Sequence, residues 1–289
     1  MPRLAYVDGR FVPLADARVS VEDRGFQFAD GIYEVCAVLN RRLLDWPQHL
    51  ARLERNLSAL LIAPPMSAAA LTLVARRLLV ANGAREALLY IQITRGAAKR
   101  DHGFPGQTPP TLVMTVRPFD FAQRVAQQQR GVAVTSVNDQ RWGRCDIKTI
   151  GLLANVLAKQ TARDAGSFEA LLVGDDDTVA EGSSTNVWMV AGGRVATPPL
   201  SARILPGVMR GTVMRLAAEA QIVVDERPFS LAEARAADEL FLTSTTAPVL
   251  PVVTLDGAAI GGGRPGAVSG RLAALLWAEI ERQTGYRPG

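Results

Sequence analysis

Cysteine and histidine are nearly missing from these 289 residues: there are two of each, Cys36, Cys145, His49 and His102. They lie far apart along the chain, so a disulfide framework and a Cys/His zinc cluster are both excluded as sequence motifs, and no structural metal site is expected. Long hydrophobic runs are missing too. The longest uncharged stretch, Asn56 to Ala75, is broken by Pro64 and Pro65, and Met1 to Tyr6 has no apolar run behind a basic start. Neither a membrane span nor a signal peptide is therefore expected, and the reading is a soluble, cytoplasmic protein. There is no Gly-x-Ser-x-Gly, P-loop or His-Glu-x-x-His run, which leaves serine-hydrolase, nucleotide-hydrolase and zincin chemistry without a nucleophile or ligand set. Lysine is scarce. Three lysines (Lys99, Lys148, Lys159) stand against 29 arginines, so chemistry that needs an amine has three candidates.

What is present is a globular composition, 48% hydrophobic and 21% charged, enough for a core of one or two domains. The formal charge is +4, but the basic residues are scattered and only four tryptophans and four tyrosines could stack on bases, so no nucleic-acid partner is expected. Leu4 to Val7 and Arg10 to Val12 flank Asp8-Gly9 as a hairpin, and Ile32 to Leu39 alternates as a strand that turns at Asn40-Arg41. Leucines at 50, 53, 57, 60 and 61 mark a helix opened by Pro47, and a second helix spans about Ser67 to Asn82. Leu88 to Thr94 and Leu112 to Val116 read as strands joined by a Gly- and Pro-rich loop. Arg117 to Ala122 reads as a connector, giving a small N-terminal domain over 1–117, a linker over 118–122 and a larger domain over 123–289. Strands and helices interleave in the second part, with one helix from Thr149 to Ala165. The class is α+β with a mixed sheet.

The Gly-x-Gly-x-x-Gly match at Gly261, Gly263 and Gly266 contains Pro265 and lacks a βαβ unit, so it reads as a glycine-rich loop. Lys99 lies in a polar loop and Lys159 on a helix beside Gln160, Arg163 and Asp164, where a solvated amine is the ordinary outcome. Lys148, in Arg144-Cys145-Asp146-Ile147-Lys148-Thr149, stands before a leucine-rich helix where partial desolvation would activate it, although on these residues alone an ion pair with Asp146 or Asp139 is the stronger reading. Glu181 ends a short strand before the turn Gly182-Ser183-Ser184-Thr185-Asn186, whose hydroxyls also suit plain turn capping. Ile204 to Gly211 opens a helix after Pro206-Gly207, and Thr243 to Thr246 follows a strand; both could present amides and hydroxyls to a phosphate.

Seven ordered blocks go further: EDRGFQFADGIYE (22–34), HLARL (49–53), YIQITRGAAKRDH (90–102), RCDIKTIGLLANVLAKQ (144–160), EGSSTNV (181–187), ILPGVMR (204–210) and ELFLTSTT (239–246). Together they resemble the fold-type IV pyridoxal-phosphate (PLP) aminotransferases, over nearly the whole chain. The resemblance implies a two-domain architecture with PLP at the domain interface. It implies that Lys148 carries the cofactor and shuttles the proton, that Glu181 faces the pyridine nitrogen, and that Leu205 packs on the ring. Arg52, the amides of Val208 and Met209, and the hydroxyls of Thr245 and Ser244 would hold the phosphate. Tyr33, Arg100 and His102 would trap the substrate carboxylate, with Tyr90 close by. Arg100-Asp101-His102 matches the branch acting on D-amino acids such as D-alanine and D-glutamate, with 2-oxoglutarate or pyruvate as acceptor. The same scaffold also serves branched-chain L-amino-acid and (R)-amine transaminases and 4-amino-4-deoxychorismate lyases. Members are typically homodimers, and the loop around Arg100 would then serve the partner's site.

Overall fold

The computed structural model describes residues 3–287. Two compact units emerge. The first runs to Asp120 and also takes in Ile147–Gly151 and Gln283–Tyr286; the second holds Phe121–Asp146 and Leu152–Arg282.

In the first unit, β1 (Leu4–Val7) and β2 (Arg10–Pro13) form the hairpin expected around Asp8-Gly9, both of which have positive φ. A five-residue helix α1 (Arg24–Phe28) follows, then β3 (Gly31–Leu39), β4 (Arg42–Leu43), α2 (Trp46–Ala59), α3 (Ala68–Ala81), β5 (Ala87–Thr94) and β6 (Thr111–Pro118). The six strands pair antiparallel in the order β2-β1-β6-β5-β3-β4. Strand alternation gives this sheet two different faces. Ile32, Glu34, Cys36, Leu89, Ile91 and Ile93 are buried on the one that meets α2 and α3, while Tyr33, Val35, Tyr90 and Gln92 point to the other and stay half-buried. The α2 stripe of Trp46, His49, Arg52, Leu53, Asn56 and Leu57 is buried at helical spacing, so two of its core-facing positions carry charge-capable side chains.

The second unit contains α4 (Phe121–Arg130), β7 (Val132–Asn138), α5 (Leu153–Asp164), β8 (Glu169–Val173), β9 (Val179–Gly182), β10 (Asn186–Ala191), β11 (Arg194–Thr197), α6 (Val208–Glu219), β12 (Val224–Glu226), α7 (Leu231–Ala236), β13 (Glu239–Ser244), β14 (Ala247–Leu255), β15 (Ala258–Ala259) and α8 (Ala267–Thr284). Its strands run β12-β11-β10-β13-β14-β7-β8-β9, with β15 on β14. The β11/β12, β7/β14 and β7/β8 pairs are parallel and the rest antiparallel, the mixed sheet expected from the interleaved pattern.

Two expectations are corrected here. The helix read from Thr149 begins only at Leu153, because Ile147–Gly151 is extended along the edge of β3 that short β4 leaves open: the Tyr33 amide donates to Lys148 O (3.0 Å) and the Ile150 amide to Gly31 O (3.2 Å). Gly31 permits this close approach, since a Cβ there would lie 2.7 Å from Ile93 O and 3.2 Å from Ile150 Cδ1. Lys159 is not a solvated amine: its Nζ pairs with the fully buried Glu169 at 3.1 Å and lies over the Phe168 ring. The glycine-rich loop opens α8, whose Val268 and Ser269 amides donate to the Glu239 carboxylate; a Cβ on Gly266 would strike that carboxylate at 1.9 Å.

Candidate active site

On the half-buried face of the first sheet, Tyr33 and Tyr90 stack with ring centroids 5.6 Å apart, and Lys148 Nζ lies 4.2 Å from the centre of the Tyr33 ring. Burial, with Tyr33 beside it, pushes the Tyr90 phenol up to about 12, so this hydroxyl stays protonated and donates to Gln92 Oε1 at 2.7 Å. The ion pairs weighed for Lys148 are not formed. Asp146 is taken by Arg144 and Asp139 by Arg141, and Lys148 makes no ion pair among the described residues. Of the three lysines, Lys148 is thus the one that is neither in an exposed loop, as Lys99 is, nor matched with a carboxylate, as Lys159 is.

The same strand alternation sends Glu34 to the opposite face, under α2. There its carboxylate accepts from Arg52 Nε (2.7 Å) and Nη2 (2.8 Å) and meets His49 Nδ1 at 2.8 Å, all three side chains being buried. Burial by itself would raise the Glu34 carboxyl, but the Arg52 charge and the Arg52 and His49 hydrogen bonds outweigh it and bring it down to about 2. The fork geometry fixes the plane of the Arg52 guanidinium. Neither Glu34 nor His49 was singled out from the sequence, although Glu34 and the HLARL block both lie in the motifs that carry the resemblance. The depressed carboxyl contributes stability that is complete above the ordinary value of 4.5 and disappears as pH falls toward about 2. Its contribution is on the order of 3 kcal/mol. Glu34→Gln should therefore destabilise the protein at pH 6, and the gap to wild type in urea unfolding should narrow at pH 3; a gap of constant size would mean that Glu34 is not the titrating group.

Arg100 and His102 stand exposed on the loop between β5 and β6, both against the Phe28 ring, at 4.6 Å and 5.4 Å respectively. Their ring contacts are with Phe28, whereas Lys148 and Tyr90 meet Tyr33.

In the second unit, Glu181 lies buried at the end of β9 and is bound by three side-chain or main-chain donors: Arg141 Nη1 (2.5 Å), Asn186 Nδ2 (2.9 Å) and the Leu205 amide (3.1 Å). Arg141 is itself gripped by Asp139. Its burial would lower its affinity for the proton, but the Asp139 hydrogen bonds and the Glu181 charge outweigh this and raise it. This donor set engages both carboxylate oxygens of Glu181. Asn186 also donates to Leu205 O, and Gly207 leaves room for it: a Cβ on Gly207 would lie 2.1 Å from Asn186 Oδ1. One asparagine therefore ties Glu181 to the residues that open α6. The N-terminus of α6, where Val208 and Met209 lie, has no side-chain cap, so its amides point outward with the positive end of the helix dipole. Ser244 Oγ accepts from the Ala247 amide at 3.1 Å and meets Thr246 Oγ1 at 3.3 Å, which shapes the turn that presents Thr245. Arg141 and Asn186 were missed in the sequence reading; an arginine among 29 carries little signal by itself.

These donor sets fit pyridoxal phosphate. An amine without a carboxylate partner suits its carbonyl, a buried, hydrogen-bonded carboxylate suits its ring nitrogen, and an uncapped helix N-terminus suits its phosphate.

The chain matches the amino-transferase class IV family over residues 31–255. It is 38% identical over 278 residues to the D-alanine aminotransferase of Bacillus licheniformis, covering 96% of this chain and 97% of that protein. The D-alanine aminotransferase of Staphylococcus aureus (strain MSSA476) is 35% identical over 268 residues, 92% of this chain and 94% of its own. Among solved structures, the T.th. branched-chain amino acid aminotransferase with pyridoxamine 5'-phosphate superposes with a TM-score of 0.90 at 25% identity, covering 100% of this chain and 96% of that one. The branched-chain aminotransferase of Thermoproteus uzoniensis with norvaline gives 0.85 at 26% identity, with 98% and 95% covered. Sequence and fold thus agree, and the chain belongs to the class IV aminotransferases, with the fold-type IV architecture.

Proposed function

We propose that the protein is a PLP-dependent transaminase of D-amino acids such as D-alanine and D-glutamate, passing the amino group to 2-oxoglutarate or pyruvate in two half-reactions. The observation that carries it is the amine of Lys148 over the Tyr33 ring, without a carboxylate partner, in a chain that is 38% and 35% identical, over the aligned residues, to two D-alanine aminotransferases. When bound, pyridoxal phosphate supplies the carbonyl that accepts the amino group and the ring that takes up electrons from the substrate α-carbon. Lys148 Nζ takes the α-proton and returns it, free to do so because no carboxylate holds it. Glu181, oriented by Arg141, Asn186 and the Leu205 amide, would hold a proton at the pyridine nitrogen. The resemblance implies that Arg52, positioned by Glu34, the Val208 and Met209 amides and the Ser244 and Thr245 hydroxyls would hold the phosphate, and that Leu205 would meet the ring. Tyr33, Tyr90, Arg100 and His102 receive the substrate carboxylate.

The same reading makes the protein a homodimer. Arg100 and His102 stand on Phe28 while Tyr33 and Tyr90 stand by Lys148, a division that supports the resemblance's implication that the Arg100 loop serves a second copy. A cytoplasmic location accords with the two free cysteines, Cys36 and Cys145, and no helix among the described residues is long and apolar enough to cross a membrane.

Branched-chain L-amino-acid transamination is the second reading, favoured by the structural neighbours with TM-scores of 0.90 and 0.85. A panel of D- and L-amino acids with either acceptor separates the two. In the first reading D-alanine turns over and L-valine does not. Arg100→Ala should raise KM for D-alanine and D-glutamate by roughly ten- to several-hundred-fold, about 1.4 to 3.5 kcal/mol of lost binding, with little change in cofactor affinity. Unchanged D-amino-acid kinetics in that variant would remove Arg100 from the carboxylate site.

A further inference from the structure

The loop that carries Arg100 and His102 has little structure of its own, yet its start and middle are tied to one buried arginine. Arg24 is 3% exposed. Its main-chain amide donates to Gly96 O at 2.9 Å, and the Ala98 amide donates to Glu22 O at 3.2 Å, so the loop leaves β5 alongside the segment that enters α1. Its guanidinium then spans to the middle of the loop: Nη1 donates to Asp101 O at 2.6 Å and Nη2 to His102 O at 3.4 Å. Nε is held by Asp30 Oδ2 at 2.8 Å, and the same carboxylate takes Arg95 Nε at 2.8 Å and Nη2 at 3.0 Å. Arg95 in turn donates to Leu60 O and Leu61 O at the end of α2. Asp30 is thus a joint between two arginines, one fixed to α2 and the other reaching the loop.

Phe28 completes the arrangement. Arg24 lies 4.9 Å from its ring centroid, Arg100 4.6 Å, and the His102 ring 5.4 Å, so a single aromatic ring seats the strut and both side chains of the trap. Cations over an aromatic face are held by the ring quadrupole without consuming their N–H donors, which remain available to a carboxylate. The platform itself cannot drift. Asp23 caps α1 at the Gly25 amide (2.8 Å) and accepts from Thr94 Oγ1 (2.9 Å), and a Cβ on Gly25 would strike Thr94 Cγ2 at 2.3 Å.

We propose that Arg24 and Phe28 are the positioning residues of the substrate-carboxylate trap: Arg24 fixes the main chain at Asp101 and His102, and the Phe28 ring sets the direction in which Arg100 and His102 present their donors. This rests on the reading of Arg100 and His102 as that trap. It explains why an exposed loop can deliver two donors in register, since neither residue is anchored by hydrogen bonds of its own side chain among the described residues.

Arg24→Met and Phe28→Leu, each made alone and together with Arg100→Ala in the PLP-loaded enzyme, test it. Each single substitution is expected to raise KM for D-alanine by about ten- to fiftyfold while kcat changes by less than about threefold, since the loop binds the carboxylate and does not move the proton. Hydrogen exchange of the 97–103 amides should speed up in Arg24→Met, and PLP affinity of the apoprotein should stay at the wild-type value. In the Arg100→Ala background the added rise in KM should shrink to the part that passes through His102, well short of additivity. A rise that stays fully additive, or a fall in kcat at constant KM, overturns the proposal. If Arg24→Met does not fold, Phe28→Leu decides by the same criteria. Should Arg100→Ala itself leave KM unchanged, the trap reading fails; should Arg100→Ala raise KM while Arg24→Met and Phe28→Leu do not, the trap stands and the positioning role is wrong.

Discussion

Lys148→Ala is expected to fold like the wild type and to transaminate about 10⁴-fold more slowly or worse, because the group that links the cofactor and the group that moves the α-proton are one amine. Folding should survive, since what ties this segment to the first sheet is main chain: Lys148 O accepts from the Tyr33 amide, and the buried neighbour Ile147 fills the core. The lost contact is Nζ over the Tyr33 ring at 4.2 Å, worth no more than about 1 to 2 kcal/mol. Borohydride reduction followed by peptide mass mapping supplies a readout independent of turnover. The wild type should gain cofactor mass on the peptide containing Lys148, and the variant should gain none on Lys99 or Lys159. Wild-type turnover by Lys148→Ala, or labelling of another lysine in the wild type, would refute the assignment.

Glu181→Gln should retain PLP yet slow the half-reaction with D-alanine roughly 10- to 150-fold, the equivalent of losing one charge-assisted hydrogen bond of about 1.5 to 3 kcal/mol. An amide cannot keep the pyridine nitrogen protonated, so the ring becomes a weaker electron acceptor. The surrounding donors sharpen the effect. Arg141 and the Leu205 amide can still find the oxygen of the introduced amide, but its NH₂ faces Asn186 Nδ2, a donor against a donor. Stopped-flow measurement of the single half-reaction isolates the step. An unchanged rate would assign the ring nitrogen to a different acid.

Much of this site was legible in the residues. The alternation of Ile32 to Leu39 and the leucine spacing of α2 were readable because each is a period imposed by local geometry. Lys148 and Glu181 were marked out by the blocks that carry the family resemblance, since their local context by itself reads as an ion pair and a capped turn. Elements that depend on distant pairing were not. Strand β11 is four residues long, too short for a period to show, and β14 contains Pro248 and Pro251, residues that argue against an inner strand. That strand nevertheless lies between β13 and β7, with irregular register on both sides.

The sequence by itself determined the class of chemistry through seven contiguous blocks whose order and spacing survive in one dimension and together carry the family resemblance. Tertiary structure decided how each group is tuned. Alternation along β3 could say that Tyr33 and Glu34 face opposite ways, but only the folded chain shows that Tyr33 meets Lys148 while Glu34 meets Arg52 and His49. Which arginine partners Asp139, Asp30 or Glu181 was equally hidden, because an ion pair is a property of distance in space, and 29 arginines offered no local pattern to choose among them.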